Sequence, residues 1–247
     1  MKLRHFNETF FRVNQTHSTN SLLWEILENK PYENGTSVIA HKQTKGKGQK
    51  GNIWITEPGK NITFSLLLFP ELESKNVFYL NIMASLAIQR TLHDLDITSE
   101  IKWPNDILVN ECKIAGLLIE NQIQGRKINK SVVGIGLNVN QSHFPFIRPV
   151  TSISKELGTH IDLENIFTQL YQNLDFFFNL LITKDLSLLK KLYLQNLYRY
   201  EKWAEYSTEK HGKCTGQIVG IDDDGKVVVQ FLDKSEVHFD MQTIQFV

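Results

Sequence analysis

The stretch Val132-Val133-Gly134-Ile135-Gly136-Leu137-Asn138-Val139-Asn140 restricts the fold of this chain more than any other. Apolar residues recur at every second position, the period of a strand, so Val133, Ile135, Leu137 and Val139 fill one face. Gly134 and Gly136 leave the other face bare at two successive positions, and the Asn138 amide shares their parity. A flat ligand lying on the bare face accounts for this pattern, and so does close packing by a neighbouring strand.

That strand sits in a chain of 247 residues with 41% hydrophobic and 22% charged residues, too apolar for a disordered chain and long enough for a large domain with a small one. Lys plus Arg and Asp plus Glu both number 27. No global basic field therefore draws the chain to nucleic acid or an anionic membrane, and any polyanion site has to be local. Cys112 and Cys214 lack C-x-x-C or zinc spacing, which predicts reduced thiols, and the eight His show no pair at ligand spacing. Residues 1–11 contain no continuous apolar signal region, and the longest apolar run, Leu66 to Phe69, falls far short of a membrane helix. A soluble cytoplasmic protein is expected, with no membrane partner.

Periodicity predicts a strand over Thr9 to Val13, then a helix capped by Ser18 with Leu22, Leu23, Ile26 and Leu27 on one face. A strand over Thr36 to Ala40 follows. Ile62, Phe64, Leu66 and Leu68 alternate with Thr63, Ser65 and Leu67, as in a strand with one face more deeply buried than the other. Val77 to Leu95 keeps a helical spacing, Glu100 to Asn140 reads as an antiparallel meander, and Leu163 to Ile182 and Ser187 to Leu197 read as amphipathic helices that pack on the sheet. Beyond Trp203 the pattern is purely β, with Asp222-Asp223-Asp224-Gly225 as its first turn, which predicts a small separate barrel. The expected organisation is a domain over residues 1–200 and a second over 201–247.

Two further segments carry chemistry. Between Lys42 and Lys60 there are five Lys against one Glu, and Gly46, Gly48 and Gly51 expose backbone N–H groups between the ammonium groups. This suits a phosphate, although it is neither a Walker A loop nor a dinucleotide fingerprint, and a solvated surface loop has the same composition. Trp54 closes the segment with an aromatic ring able to cover a ring or base, or to be buried at a strand start. The second segment is Lys102-Trp103-Pro104-Asn105-Asp106, followed by Lys113-Ile114-Ala115-Gly116. Pro104 makes a rigid corner that can aim Lys102 and Asp106, and Gly116 marks a close approach by a ligand or backbone. Two Lys and one Asp at such a turn fit phosphoryl chemistry; a surface ion pair between Lys102 and Asp106 fits as well.

In their order, Ser18-Thr19-Asn20, the Gly46 to Trp54 loop, the Lys102 to Asp106 corner, the Lys113 to Gly116 strand and the Gly134 to Asn138 strand resemble the biotin protein ligases. The resemblance runs from about Ser18 to Asn140. It implies an α+β fold, a mixed and largely antiparallel sheet flanked by helices as in class II synthetases, with a small SH3-like β-barrel at the C-terminus. It also implies activation of biotin with ATP and Mg2+ to biotinyl-5'-AMP, and transfer to a lysine of the biotin carboxyl carrier protein of an acyl-CoA carboxylase.

By that resemblance biotin would be bound by Ser18, Thr19, Asn20 and Gln43, by the loop residues Gly46, Lys47, Gly48 and Gln49, and by Lys113, Gly116, Leu118 and Gly134. ATP would be served by Lys47, Gln49, Lys50, Trp54, Lys102, Asn105 and Asn138. Lys47, Lys102, Asp106 and Lys113 would carry the chemistry, with Asp106 holding Mg2+ or orienting or deprotonating the carrier amine. The loop departs from the family where Lys47 and Gln49 stand in place of Arg, so a point charge and a neutral amide replace two guanidinium forks. With 17 residues before Ser18, no N-terminal DNA-binding domain is expected. A homodimer is compatible with the resemblance. The competing expectations are a lipoate ligase-like enzyme, whose Arg-Gly-Gly-rich loop is not found here, and a non-catalytic nucleic-acid-binding module stacking bases on Trp54 and Trp103.

Overall fold

The computed structural model describes residues 5–28, 30–145, 149–208, 212–241 and 243–247, with Lys50 described for its backbone alone. The chain begins with β1 (Phe10–Thr16), α1 (Thr19–Leu27) and β2 (Ser37–Gln43), then the short strands β3 (Gly46–Lys47) and β4 (Ile53–Trp54), β5 (Asn61–Leu68) and α2 (Phe78–His93). The meander is β6 (Glu100–Lys102), β7 (Asp106–Val109), β8 (Cys112–Gln124) and β9 (Lys127–Asn138). Three helices follow, α3 (Ile153–Leu157), α4 (Leu163–Ile182) and α5 (Leu186–Gln195), and then β10 (Trp203–Thr208), β11 (Gly212–Ile221), β12 (Val227–Phe231), β13 (Glu236–Phe239) and β14 (Ile244–Phe246).

The main sheet has seven strands in the order β1-β2-β5-β9-β8-β7-β6. β1 and β2 are parallel and joined across α1, whereas the other neighbours are antiparallel. Each face of this sheet has its own cover. On one side Leu23 of α1 packs with Val38, Leu67 and Val132. On the other, Phe64, Leu66, Leu68, Val133, Ile135 and Leu137 join Leu80, Met83, Ala87 and Ile88 of α2 in the main core. Apart from Ala87, each such side chain contributes roughly 1.5–3 kcal/mol by leaving water.

Helix α4 spans the predicted Leu163–Ile182, because Asp162 caps it by accepting the Glu164 N–H at 2.9 Å and its apolar residues keep one register. It packs along α2 and reaches the sheet where Phe167 meets Phe64 edge-on, with ring centroids 5.3 Å apart. Two predicted helix ends move. Leu95 lies beyond α2, since the chain reverses at Asp96 with φ +59°. Leu197 leaves α5 to bridge Ile101 of β6.

Strand β5 differs more. All eight of its residues are buried, because the face carrying Asn61, Thr63 and Ser65 is covered as fully as the apolar face. The C-terminal strands form a five-stranded antiparallel sheet, β13-β12-β11-β10-β14, consistent with an SH3-like arrangement although it is not closed into a barrel. Its Ile218, Val227 and Val229 belong to the same core cluster as the main sheet. No helix among the described residues is long and apolar enough to cross a membrane.

Candidate active site

Strand register gathers the predicted residues on the α1 side of the sheet. One rung runs Asp106, Gly116, Gly136, Thr63 across four strands, and the next runs Leu118, Gly134, Ser65. Residues directly opposite on antiparallel strands share a face, so the three glycines form one bare patch. The patch has two covers. A methyl group on Gly136 would overlap the Trp54 indole, and one on Gly134 would overlap the Asn20 amide. The face that lacks side chains is thus filled by an aromatic ring at one end and by the start of α1 at the other.

At the α1 end a polar network is buried. Gln43 Oε1 accepts from the Thr19 backbone N–H at 2.7 Å and from the Thr19 hydroxyl at 3.1 Å. Ser65 Oγ lies 2.7 Å from Thr19 Oγ1 and 2.6 Å from Asn20 Oδ1. The Asn20 amide donates to the Leu118 carbonyl at 3.2 Å and to Glu120 at 3.1 Å, and Glu120 also accepts from the Trp24 indole at 3.1 Å. Buried polar groups need such partners, and a satisfied network fixes their directions. Ser18 is buried next to this cluster and starts the helix with extended backbone, but its side chain makes no capping bond. Ser65, Glu120 and Trp24 were not singled out from sequence; the shared parity of Asn61, Thr63 and Ser65 was the available signal.

The cationic segment folds as a hairpin over the patch. Gly46 pairs with Trp54 and Lys47 with Ile53, and the Gly48 N–H donates to the Asn52 carbonyl at 2.7 Å. Gly46 is required there, since a side chain would run into the Trp54 backbone. Gln49 opens a single 3-10 turn with Lys50, whose side chain lies outside the described residues. Trp54 turns its ring inward over Gly136 and Gly116, with its indole N–H buried and lacking an acceptor. Lys47 points elsewhere: its ammonium donates to Ser21 Oγ of α1 at 2.9 Å, on the exposed rim. It does not join Lys113 and Asp106.

At the opposite end of the patch Lys102 and Asp106 face each other across a three-residue turn whose Trp103-Pro104 peptide is cis. The carboxylate of Asp106 pairs with Lys113 at 2.6 Å, in place of the Lys102–Asp106 ion pair that the sequence allows. The reason is local. β7 and β8 slip register between Ile107 and Leu108, and Gly116 has no side chain, so Lys113 lies over it; a methyl there would stand 3.1 Å from the ammonium. With the two side chains 33% and 28% exposed, this pair contributes about 0–1 kcal/mol of stability. Asn105 ties the corner to β8, donating to the Leu117 carbonyl at 2.7 Å and accepting from its N–H at 3.0 Å through its own carbonyl. Asn138, at the end of β9, donates to the Thr151 carbonyl at 3.1 Å. Among the described residues no group of three or more His, Cys, Asp or Glu could hold a metal ion. A divalent cation at Asp106 therefore needs oxygens from a bound anion to complete its shell.

The arrangement is a flat platform with a neutral hydrogen-bonding network at one end and ammonium and carboxylate groups at the other. It suits a ligand with an uncharged polar ring system and an anionic tail.

Residues 12–138 match the model of the Biotin/lipoate A/B protein ligase family. The bifunctional ligase/repressor BirA of Bacillus subtilis (strain 168) is 28% identical over 227 residues, covering 86% of this chain and 66% of the relative. The biotin--[acetyl-CoA-carboxylase] ligase of Paracoccus denitrificans is 32% identical over 159 residues, covering 61% of this chain and 65% of the relative. The chain thus spans slightly under two thirds of the length of these relatives. In fold it is similar to the biotin protein ligase from Aquifex aeolicus in complex with biotin and ATP, with TM-score 0.79 and 23% identity over 98% of this chain and 100% of the other. The synthetase from Helicobacter pylori with bound biotinylated ATP superimposes with TM-score 0.59 and 19% identity over 94% and 99% of the two chains. The family match covers more than half of the sequence and contains the platform, both of its ends and the cationic hairpin: the chain belongs to the biotin/lipoate A/B protein ligase family.

Proposed function

We propose that this chain is an ATP-dependent ligase that activates biotin as biotinyl-5'-AMP and transfers the biotinyl group to a lysine of a biotin carboxyl carrier domain of an acyl-CoA carboxylase. The observation that carries the reading is the glycine platform, set between the Gln43–Thr19–Ser65–Asn20 network and the Asp106–Lys113 pair. The fused ureido ring is flat, neutral and rich in donors and acceptors, and the valerate tail ends in a carboxylate, so the ligand matches both ends. Thr19, Asn20 and Gln43 meet the ring, with Ser18 beside them. Gly116, Leu118 and Gly134 line its pocket once the Trp54 ring leaves the patch, and Lys113 meets the carboxylate.

The first step joins a carboxylate oxygen of biotin to the α-phosphorus of ATP as the bond to the leaving pyrophosphate breaks. Two anions must approach, so fixed cations lower the barrier. Lys113 and Lys102 supply such charges, and Lys47 joins them when it exchanges Ser21 for a phosphate. Gly46, Gly48 and Gln49 of the hairpin border the phosphates, joined by Lys50, while Trp54, Asn105 and Asn138 bound the nucleotide. Asp106 is the carboxylate that would hold Mg2+, which neutralises phosphate charge when bound. In the second step the neutral amine of the carrier lysine attacks the acyl carbon and AMP leaves. The hairpin, closed over the patch, keeps water from the mixed anhydride. Residues 1–200 are assigned to this chemistry and residues 201–247 to a C-terminal unit.

The test is ATP–pyrophosphate exchange with Mg2+ and either biotin or lipoate, with Lys113→Ala as control. Exchange with biotin, reduced about 10²–10³-fold in the variant, is expected from removal of one charge-stabilising group. Exchange with lipoate alone would replace biotin as substrate, and exchange with neither would overturn the ligase reading.

A further inference from the structure

Three consecutive residues leading into the Pro104 corner, Ile101, Lys102 and Trp103, are gripped by the last quarter of the chain. The Ile101 N–H donates to the Asn196 carbonyl at 2.8 Å, and the Ile101 carbonyl accepts from Tyr198 at 2.9 Å. The Lys102 ammonium stands 5.1 Å from the ring centroid of Phe246 in β14. Trp103 is 3% exposed, and its indole N–H donates to the Gly225 carbonyl at 2.9 Å.

The two C-terminal contact points are themselves braced. Gly225 has φ +83°, and a methyl group there would overlap Phe78 at the start of α2, so the turn is seated directly on the catalytic core. Asp222 holds the turn by accepting from the N–H groups of Asp224 at 3.0 Å and Lys226 at 2.9 Å. Phe246 packs on Tyr206 with centroids 5.5 Å apart and on Tyr198 at 6.3 Å. The network around Thr19 and Asn20 contrasts with this, since its bonds run among residues of α1, β2, β5 and β8. One end of the platform is thus built from the main sheet and α1, and the other leans on the C-terminal sheet.

We infer that the C-terminal sheet positions the corner for the nucleotide, through the Gly225 carbonyl acting on Trp103 and the Phe246 ring acting on Lys102. This rests on the assignment of that corner to ATP. Trp103 and Phe246 are positioning residues: neither touches the substrates, and both restrict a side chain that does. Lys102 has a long flexible stem, and a ring beneath its ammonium lowers the number of directions it samples. The indole bond pins the residue between Lys102 and the turn, so the corner cannot tilt without breaking it.

The experiment uses the full chain and biotin-dependent ATP–pyrophosphate exchange, with KM measured separately for ATP and biotin. Trp103→Phe removes the donor and keeps an aromatic ring; Phe246→Leu removes the ring face and keeps apolar volume; Phe246→Trp restores a face. Trp103→Phe and Phe246→Leu are expected to raise KM for ATP about five- to tenfold, the scale of one lost hydrogen bond or cation–π contact, with KM for biotin within about twofold. Phe246→Trp is expected to recover most of the ATP effect. Parallel rises in both KM values together with a lowered Tm would reduce these residues to general packing and overturn the inference, as would unchanged KM for ATP. A parent chain that shows no biotin-dependent exchange would sink the ligase reading along with it, whereas an active parent with unaffected variants would sink this inference alone.

Discussion

Phe64 and Ser65 are neighbours in β5, both with no exposed surface, and they serve opposite faces of one sheet. Phe64 faces α2 and α4, where space is filled by apolar atoms. Ser65 faces α1, where it is held between Thr19 and Asn20, and its cross-strand partner is a glycine. Burial is equal on the two faces, and what is buried differs. On the helix face each atom stabilises by its volume. On the α1 face each stabilises by having a partner, and the missing atoms of Gly116, Gly134 and Gly136 matter as much as those present.

Substitutions can break that contrast. The largest expected effect is Phe64→Ala, which should lower unfolding free energy by about 3–5 kcal/mol in a denaturant titration while leaving biotin affinity of the folded protein unchanged. A large affinity loss would mean that the faces are coupled. Ser65→Ala removes one oxygen and should cost about 1–3 kcal/mol by leaving buried partners short of a bond, with a weakened affinity for biotin by calorimetry. If stability fell and affinity held, the network would belong to the fold and not to the site. Gly136→Ala displaces the Trp54 ring, and should lower kcat/KM about tenfold with little change in Tm, because overpacking of about 1–3 kcal/mol is relieved by moving a hairpin. A fall in Tm equal to that of Ser65→Ala would show instead that the ring is part of the core.

The smallest effect sharpens the comparison from outside both faces, where a carboxylate joins packing against Phe78 in holding the Gly225 turn. Burial pushes the Asp222 carboxyl up, but bonds from the His238 ring and from the N–H groups of Lys226 and Asp224 together hold it below its ordinary value. A depressed folded value means that its contribution is present above about pH 4, the unfolded carboxylate range, and is lost as pH falls through the folded value. The Tm difference between the parent and Asp222→Asn should therefore close in acid; a gap independent of pH would assign the turn's stability to the backbone alone.

What could be read from sequence follows the same division. The helix Leu163–Ile182 was legible to the residue because its signals are local, a capping Asp162 and an apolar period. The glycine face of β9 was legible because a strand's parity needs no partner to be counted. The parity of β5 was equally visible, yet its polar side was expected to be the less buried one. Its cover comes from α1, some forty residues away, and no local pattern encodes that contact. The same distance hid the pairing of Trp54 with Gly136 and the roles of Glu120 and Trp24. Lys113 was expected near the site, but its bond to Asp106 depends on a register slip in β7 and β8, and a slip of one residue leaves no mark in composition.

Strand order has a consequence for how the molecule comes into being. β5 and β8 are neighbours of β9 and not of each other, so before Lys127–Asn138 is available the sheet consists of two halves, β1-β2-β5 and β8-β7-β6. During synthesis the open edge of β5 waits while the next sixty or so residues emerge, and an unpaired edge with a wholly apolar side is the kind of surface on which nascent chains stick together. The glycine-bearing strand is the keystone that joins the halves.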